Sequence, residues 1–220
     1  MFQSDKSEAI DAAIEAVEHH RLEIETYVRF RPDFAKTLQP IPVDTNAPLI
    51  IQKMANAATE ANVGPMAAVA GALADLAVEA MVRSGSRISI VEDGGEISAI
   101  SEESFTVGLY AGQNALDHGL GFMIKSLNCP IGIATSSATF SHAMSFGEAD
   151  AAVIFAENAT FADAAATAIC NSVVGDDIAN SIKLGLEVGK NMPLVRGTLI
   201  VRGDYVGSAG WVPSLVQIET

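Results

Sequence analysis

The sequence predicts an α+β fold made of two similar halves, each a β-sheet backed by helices. The chain has 220 residues, of which 49% are hydrophobic and only 18% are charged. That balance is typical of a globular protein with a large core, and the length fits one domain. A strand, two helices and a hairpin occur near residues 66–111 and again near residues 131–219. We therefore expect a single domain, residues 1–220, with duplicated halves of about residues 1–115 and 116–220.

The elements of the first half follow from periodicity and from helix-breaking residues. Residues 7–29 repeat apolar side chains at about the helical period, which predicts a long first helix. Segment 31–48 contains four prolines and is expected to be an extended loop. The remaining elements are expected to be helices 49–61 and 66–83, the strand "RISIVED", the turn "GGEIS" and the hairpin partner "FTVGLYA".

The second half repeats this rhythm. Its expected elements are the strands "GLGFMIKS", "IGIATSSAT" and "DAAVIFAE", helices 159–172 and 175–188, and the closing strands within "GTLIVRGDYVGSAG" and "LVQIE". On this scheme the first half lacks its opening hairpin, and "FQSDKS" is expected to be the last fragment of that hairpin. The chain is therefore expected to begin late.

Charge and cysteine content limit the classes of partner. The formal net charge is −14 and the pI is near 4.5, which argues against nucleic acid and against anionic membrane as partners. "MFQSDKSEAIDAA" lacks the features of a signal peptide, and "VGPMAAVAGALA" comes closest to a membrane span but is followed by acidic residues. Two cysteines without a C-x-x-C motif favour a reduced, cytoplasmic protein. An acidic, apolar-rich chain of this kind is also a candidate homo-oligomer.

The segment "TFADAAATAICN" sets an acidic residue in an apolar helix. Asp163 and Thr167 are four residues apart and share a helix face. The helix has no lysine or arginine to pair with Asp163. Asp163 could serve as an N-terminal cap or first-turn acid, with Thr167 bonding back to its carbonyl. Alternatively, the two side chains could supply oxygen ligands to a hard cation such as Mg²⁺.

A glycine pair follows the "RISIVED" strand. Gly94 and Gly95 suit either an ordinary hairpin turn or a close approach of backbone to a ligand. Glu92, Asp93 and Glu96 surround the pair with carboxylates. This acidic cluster could bind a ribose hydroxyl or a metal, or simply be solvated.

The segment "ATSSATFSHAMSFG" contains six hydroxyl residues and His142. Hydroxyls and backbone amides suit phosphate recognition without net charge. A Ser–His nucleophile is an alternative, but the chain has no G-x-S-x-G elbow, which argues against a hydrolase. Gly64 precedes a helix whose free amides could face a phosphate. The small residues of that helix suit a flat ligand or tight helix packing.

At "GPMAAVAGALAD", "VEDGGEIS", "TSSATFSHAMSFGEADAAVIF" and "ADAAATAICN" the sequence resembles the ApbE-like proteins of unknown function. These are distant relatives of the ApbE flavin transferases, which attach FMN from FAD to a threonine of a partner protein. The resemblance to the ApbE-like proteins covers nearly the whole chain. The resemblance to the flavin transferases is limited to motifs.

The transferases share a Lys-Gly-x-x-x-Asp motif and a Gly-Gly-Asp turn. Gly71 and Asp75 match the first motif, but Ala70 stands at the lysine position. In the second motif, Gly94 and Gly95 match and Glu96 replaces the aspartate. The resemblance implies that these glycines and acids contact the cofactor.

Two further transferase motifs lie in the second half. Thr135 and Ser136 match a Thr-Ser-Gly sequence in which Ser137 replaces the glycine, and His142 matches the histidine that follows. Asp163 and Thr167 match an Ala-Asp-x-x-x-Thr-Ala motif, which holds magnesium beside the FAD pyrophosphate in the transferases. By this resemblance, Asp163 and His142 are the candidate catalytic residues, and Asp163 and Thr167 are the candidate metal ligands.

The resemblance implies a two-half, T-fold-like α+β fold, with the site between the halves near Gly64, Gly94, Ser136, His142 and Asp163. It also implies FAD or FMN as ligand, magnesium as cofactor, a possible protein acceptor, and a link to sulfide assimilation into homocysteine. Ala70 favours an alternative, a scaffold or partner protein that has lost the chemistry. A sulfur carrier that uses Cys170 is a third hypothesis, and it requires a solvent-reachable sulfur.

Overall fold

The computed structural model describes residues 1–108, 119–126, 129–138 and 146–218, and these have a mixed α+β fold. The helices are α1 (Ser7–Phe30), α2 (Pro32–Lys36), α3 (Leu49–Ala61), α4 (Val69–Arg83), α5 (Ala159–Ser172) and α6 (Ile178–Lys190), with a 3₁₀ helix at Pro65–Ala68. The strands are β1 (Phe2–Ser4), β2 (Ile88–Asp93), β3 (Glu96–Ser101), β4 (Phe105–Gly108), β5 (Leu120–Ile124), β6 (Ile131–Ser136), β7 (Ala151–Ala156), β8 (Val195–Arg202), β9 (Tyr205–Gly210) and β10 (Ser214–Gln217).

The strands form two antiparallel sheets. The larger has seven strands in the order β1-β2-β3-β6-β7-β8-β9, and the smaller has three in the order β10-β5-β4. The prediction of a separate sheet for each half is wrong, because β3 pairs with β6 and joins both halves into one sheet. Each half does contribute strands and helices to this shared framework, and the internal duplication stays a prediction.

The seven-stranded sheet is covered on both faces, so the fold has three layers. Along β7, Ala152 and Ile154 pack toward the helices, whereas Val153 and Phe155 pack toward the three-stranded sheet. All six residues of β7 are buried. This is expected for a central strand, since successive side chains point to opposite faces. The helix face holds the largest apolar cluster, in which α3, α4 and α5 take part.

The β2–β3 hairpin differs from its expected course. Its turn contains only Gly94 and Gly95, whose φ angles are 71° and 112°, and Asp93 pairs directly with Glu96. Positive φ angles at both positions suit glycine and explain the Gly-Gly pair. The expected partner strand "FTVGLYA" is therefore wrong, because β3 takes that place and β4 pairs with β5 in the smaller sheet.

Other expected boundaries shift by a few residues. The predicted loop 31–48 contains α2, where Pro32 occupies the first turn and Phe34 is buried. Helix α6 begins at Ile178 because the Asp177 side chain caps it, accepting a hydrogen bond from the Asn180 amide at 3.0 Å. The predicted helix 66–83 is divided into the 3₁₀ helix and α4.

Within the part of the chain that the structure describes, one stretch is long and apolar enough to span a membrane. It runs from Pro65 to Arg83, through the 3₁₀ helix and α4, and 67% of its most apolar window is buried inside the fold. Helix α4 packs against α1, α5 and the sheet. This burial is that of a core helix.

Helices α4 and α5 approach each other closely where Gly71 meets the start of α5. A Cβ on Gly71 would lie 2.2 Å from the Ala159 carbonyl oxygen, so a larger residue cannot fit without displacing α5. Asp75, one turn further along α4, accepts hydrogen bonds from the Ala159 and Thr160 amides at 3.0 and 2.8 Å and from the Thr160 hydroxyl at 2.6 Å. The Ser98 hydroxyl donates a fourth bond at 2.7 Å. Asp75 thus caps α5 from the neighbouring helix.

We expect Asp75→Ala to lower the free energy of unfolding by about 3 kcal/mol, because it leaves several buried donors without an acceptor. Urea denaturation monitored by circular dichroism measures the loss. Asp177→Ala is the matched control, since it removes an exposed helix cap and should cost only about 1 kcal/mol. Equal losses in the two variants would contradict the role given to Asp75.

Candidate functional site

A cavity of about 800 Å³ opens where α4 begins and where the two sheets face each other; we call it the cleft. Its floor is apolar and comes from both sheets, and its rim carries acids and hydroxyls. The floor residues are Ile90, Ile97, Phe105, Val107, Phe122, Ile133 and Val153. The rim includes Ala70, Glu92, Gly94, Gly95, Glu96, Thr135, Ser137, Asp163 and Thr167. Both predicted halves therefore contribute to one cleft.

The structure brings most of the predicted site residues together. Gly94, Gly95 and Glu96 reach the cleft from the hairpin turn, and Asp163 and Thr167 reach it from α5. The Gly95 amide donates to the Glu92 carboxylate at 3.0 Å, which folds the acidic cluster back over the turn. Gly94 and Gly95 therefore form a hairpin turn, which was one of the two alternatives for this pair. The same turn also lines the cleft.

Strand β6 divides the predicted hydroxyl residues between two faces. Thr135 and Ser137 line the cleft, while Ser136 alternates to the other side of the sheet. His142 and residues 139–145 lie outside the described residues.

Three other predicted ligand contacts lie away from the cleft lining. A Cβ on Gly64 would lie 2.1 Å from the Thr37 carbonyl oxygen, so Gly64 allows close chain packing. Gly71 serves the contact between α4 and α5, and Asp75 caps α5. In this fold these residues hold the framework behind the cleft.

Asp163 caps the start of α4. Its Oδ2 accepts a hydrogen bond from the Gly71 amide at 3.0 Å, and the Ala70 amide also bonds to its carboxyl group. Helix α4 has no side-chain cap of its own, whereas α5 has a cap in Asn158, which accepts from the Phe161 amide at 2.8 Å in addition to the bonds that Asp75 accepts. The prediction that Asp163 caps its own helix or lies in its first turn is therefore wrong, because Asn158 caps α5 and the Asp163 carboxylate caps the neighbouring helix α4.

The cleft places carboxyl groups close together in a partly buried setting. Burial raises the pKa of Asp163 well above its usual range, and the charge of Glu96 adds to this, while the amides of Gly71 and Ala70 oppose it. Burial, and then the charges of Asp93 and Glu92, raise the pKa of Glu96 to about 7. Among the described residues that line the cleft there is no lysine or arginine. The Met1 ammonium group lies 3.5 Å from Glu92 Oε2, and no lysine or arginine side chain among the described lining residues neutralises the other acids.

The apolar wall supplied by the three-stranded sheet was missed at the sequence level. Phe105 and Val107 of β4 and Phe122 of β5 face the cleft. Their alternation with polar or small residues in "FTVG" and "LGFM" signals strands with one buried face. The sequence analysis does not predict the pairing of β4 with β5, because it expects "FTVGLYA" to pair with β2.

Cys170 is fully buried, with none of its surface exposed. The sulfur-carrier hypothesis required a solvent-reachable sulfur and is therefore wrong. Cys170 packs in the helix-side core with Ile169 and Val173. A buried thiol in an apolar setting is a packing residue.

Comparison with known proteins gives consistent results. The model of the family described as AbpE bacteria matches residues 1–190. A UPF0280 protein of Methanosarcina acetivorans is 39% identical over 217 residues, which cover 98% of this chain and 84% of that protein.

Solved structures of ApbE proteins are similar in fold. The ApbE protein of Thermotoga maritima aligns with a TM-score of 0.50 and 20% identity over 67% of this chain and 51% of its own. The apo flavinyl transferase ApbE of Pseudomonas stutzeri aligns with a TM-score of 0.45 and 14% identity over 67% of this chain and 48% of its own. The chain thus spans about half the length of these two proteins. Its ApbE-like α+β fold is confirmed.

The cleft predicts a pH-dependent stability. A carboxyl whose pKa is higher in the folded state weakens the fold as it ionises. For Glu96 this loss begins above its ordinary value of 4.5 and is complete above about 7. We expect Glu96→Gln to stabilise the protein by about 2 kcal/mol at pH 8 and by little at pH 4.5.

Urea denaturation at a series of pH values measures this difference. Glu103→Gln, an exposed carboxylate outside the cleft, is the control and should show no comparable pH dependence. A stabilisation by Glu96→Gln that is equal at both pH values would contradict the electrostatic description of the cleft.

Proposed function

The chain belongs to the family described as AbpE bacteria, and from that premise we propose that its cleft binds a flavin nucleotide, or a related nucleotide, through a divalent cation. Asp163 and Thr167 are the proposed cation ligands. The observation that carries the proposal is that Asp163 and Glu96 line the same cleft, with no lysine or arginine among its described lining residues. The names of related flavin transferases and the matching motifs support the choice of ligand.

The residues present fit a magnesium ion. Mg²⁺ prefers oxygen ligands from one or two carboxylates together with phosphate and water. The Asp163 carboxylate is fixed by the amides at the start of α4, and the Thr167 hydroxyl lies one turn further along the same face of α5. Bound there, the ion would neutralise the acids and the negative charge of a pyrophosphate.

The floor of the cleft fits the flat, apolar part of a flavin nucleotide. Its volume of about 800 Å³ lies within the range of small-molecule sites, which combine apolar walls with a few polar groups. Phe122, Ile133 and Val153 supply apolar surface, and Thr135 and Ser137 supply hydroxyl groups near the rim. We propose that the ring contacts the floor and that the phosphates lie at the acidic rim.

Ala70 favours binding without flavin transfer. It lines the cleft at the position where the transferase motif has lysine. A lysine there would add a positive charge that could stabilise a departing phosphate group. We therefore favour nucleotide binding without catalysis as the function of this protein. FMN transfer to a protein acceptor is the second candidate.

Three further expectations stay proposals. A cytoplasmic location rests on the presence of two cysteines, 41 positions apart, without a C-x-x-C motif. Homo-oligomer formation and a link to sulfur metabolism rest on composition and on family resemblance.

Calorimetric titration of FAD, and then of FMN, with and without Mg²⁺ tests the proposed site. We expect magnesium-dependent binding that weakens about tenfold or more in Asp163→Asn and in Thr167→Val. Asparagine keeps an oxygen that can accept from the Gly71 amide, and valine keeps the shape of threonine, so both variants should fold. Glu103→Gln is the control and should bind like the wild type.

Each part of the proposal can fail separately. Absence of FAD and FMN binding under all conditions would reject the flavin ligand. Binding that neither magnesium nor the two variants affect would reject the cation site but keep the flavin site.

A turnover assay separates binding from transfer. FMN transfer breaks the pyrophosphate of FAD, joins the FMN phosphorus to an acceptor hydroxyl and releases AMP. We expect no AMP above background when the protein is incubated with FAD, Mg²⁺ and threonine-containing peptides, because Ala70 provides no positive charge at the pyrophosphate. Chromatographic detection of AMP measures this, and sustained AMP release would favour the transferase alternative.

A further inference from the structure

Helix α1 carries a group of potential metal ligands that is separate from the cleft. The Nε2 atom of His19 lies 3.5 Å from Glu23 Oε1, and the Nδ1 atom of His20 lies 2.7 Å from Glu23 Oε2. Ligand atoms of the three residues all lie within 4.8 Å of one another. None of the three lines the cleft. We call them the α1 triad.

Helix geometry explains why the three side chains meet. Residues three and four apart lie on the same face of a helix, so both histidines can reach Glu23 from the preceding turn. Each oxygen of the Glu23 carboxylate faces a different imidazole. The two rings pack edge to face with their centroids 5.0 Å apart. His19 is exposed, and His20 and Glu23 are half-buried, so the triad is open to solvent on one side.

We propose that the α1 triad binds a divalent transition-metal ion such as Zn²⁺. Two imidazole nitrogens and one carboxylate oxygen form a donor set that suits zinc, nickel, copper or cobalt. The cleft differs, because its proposed ligands are oxygens and suit magnesium. The chain would then carry two cation sites with different metal preferences.

The distances are close to those that a tetrahedral ion requires. With metal–ligand bonds of about 2.0–2.1 Å, neighbouring ligand atoms around the ion lie about 3.3 Å apart. The 3.5 Å separation between His19 and Glu23 already matches this spacing. The 2.7 Å contact between His20 Nδ1 and Glu23 involves the other carboxylate oxygen, so a single oxygen ligand requires the carboxylate to rotate and this contact to lengthen by roughly half an ångström.

Three protein ligands leave the coordination shell incomplete. A tetrahedral zinc ion with three protein ligands keeps a fourth position for water or for another molecule. The alternative is a simple surface ion pair, in which a proton on His20 Nδ1 bonds to the Glu23 carboxylate. A metal ion and a proton compete for the same nitrogen lone pair. A measurement of metal binding therefore distinguishes a metal site from an ion pair.

Titration of the full chain with Co²⁺, in a large excess of Mg²⁺ and followed by visible absorption, tests the proposal. Magnesium occupies oxygen sites such as the cleft, and Zn²⁺ should then displace the bound cobalt. We expect one tightly bound ion with the intense visible bands of a four- or five-coordinate site. The affinity should fall about tenfold or more in the double variant His19→Gln/His20→Gln and in Glu23→Gln.

The chain offers a control histidine, His118, which has no role in the proposed cleft site or in the α1 triad. The variant His118→Gln should bind cobalt like the wild type. The proposal is overturned if the wild type binds no stoichiometric cobalt or zinc, if the α1 variants bind as tightly as the wild type, or if the control loses binding. Circular dichroism of the α1 variants establishes whether a loss of binding is a loss of fold.

Discussion

Two carboxylates hold helices α4 and α5 together by capping each other's helix. Asp75 on α4 accepts from the first amides of α5, and Asp163 on α5 accepts from amides at the start of α4. These hydrogen bonds require the two helices to lie close together. Gly71 allows this close approach, because a Cβ at that position would collide with the Ala159 carbonyl. Free amides at helix starts need acceptors, and here each helix supplies the other's. Both helices border the cleft, with Ala70 from α4 and with Asp163 and Thr167 from α5.

The two caps have different surroundings and therefore different consequences. Asp75 is buried and its carboxylate is fully used by four donors, so it contributes structure. Asp163 bonds to amides of α4 but also faces the cleft, where burial, and then the charges of Glu96 and Asp93, raise its pKa. The fold thus keeps an acid in place beside other acids, at a cost to stability. A local loss of stability from neighbouring acids is characteristic of ligand sites, where a bound cation or substrate offsets the repulsion.

Local patterns in the sequence predicted the helices well and the strand pairing less well. The bounds of α3 and α5 are as expected, because apolar periodicity and the flanking breakers are local signals. The hairpin partner of β2 was misassigned, because strand pairing depends on register and on long-range contacts. Asp163, Thr167 and the Gly94–Gly95 turn were found as cleft residues, since their motif spacing is readable. The structural roles of Asp75 and Gly71 could not be read, because their partners lie more than 80 positions away along the chain.

The Asp163 carboxylate caps α4, and we propose that it remains able to hold a cation. Carbon-13 NMR of the Asp163 carboxyl group, titrated with pH in the absence and presence of Mg²⁺, tests it most directly. We expect a pKa well above the usual range without magnesium, and a clear lowering when magnesium is added, because a bound cation favours the ionised form. A pKa that is ordinary, or that magnesium does not change, would contradict a cation site at Asp163.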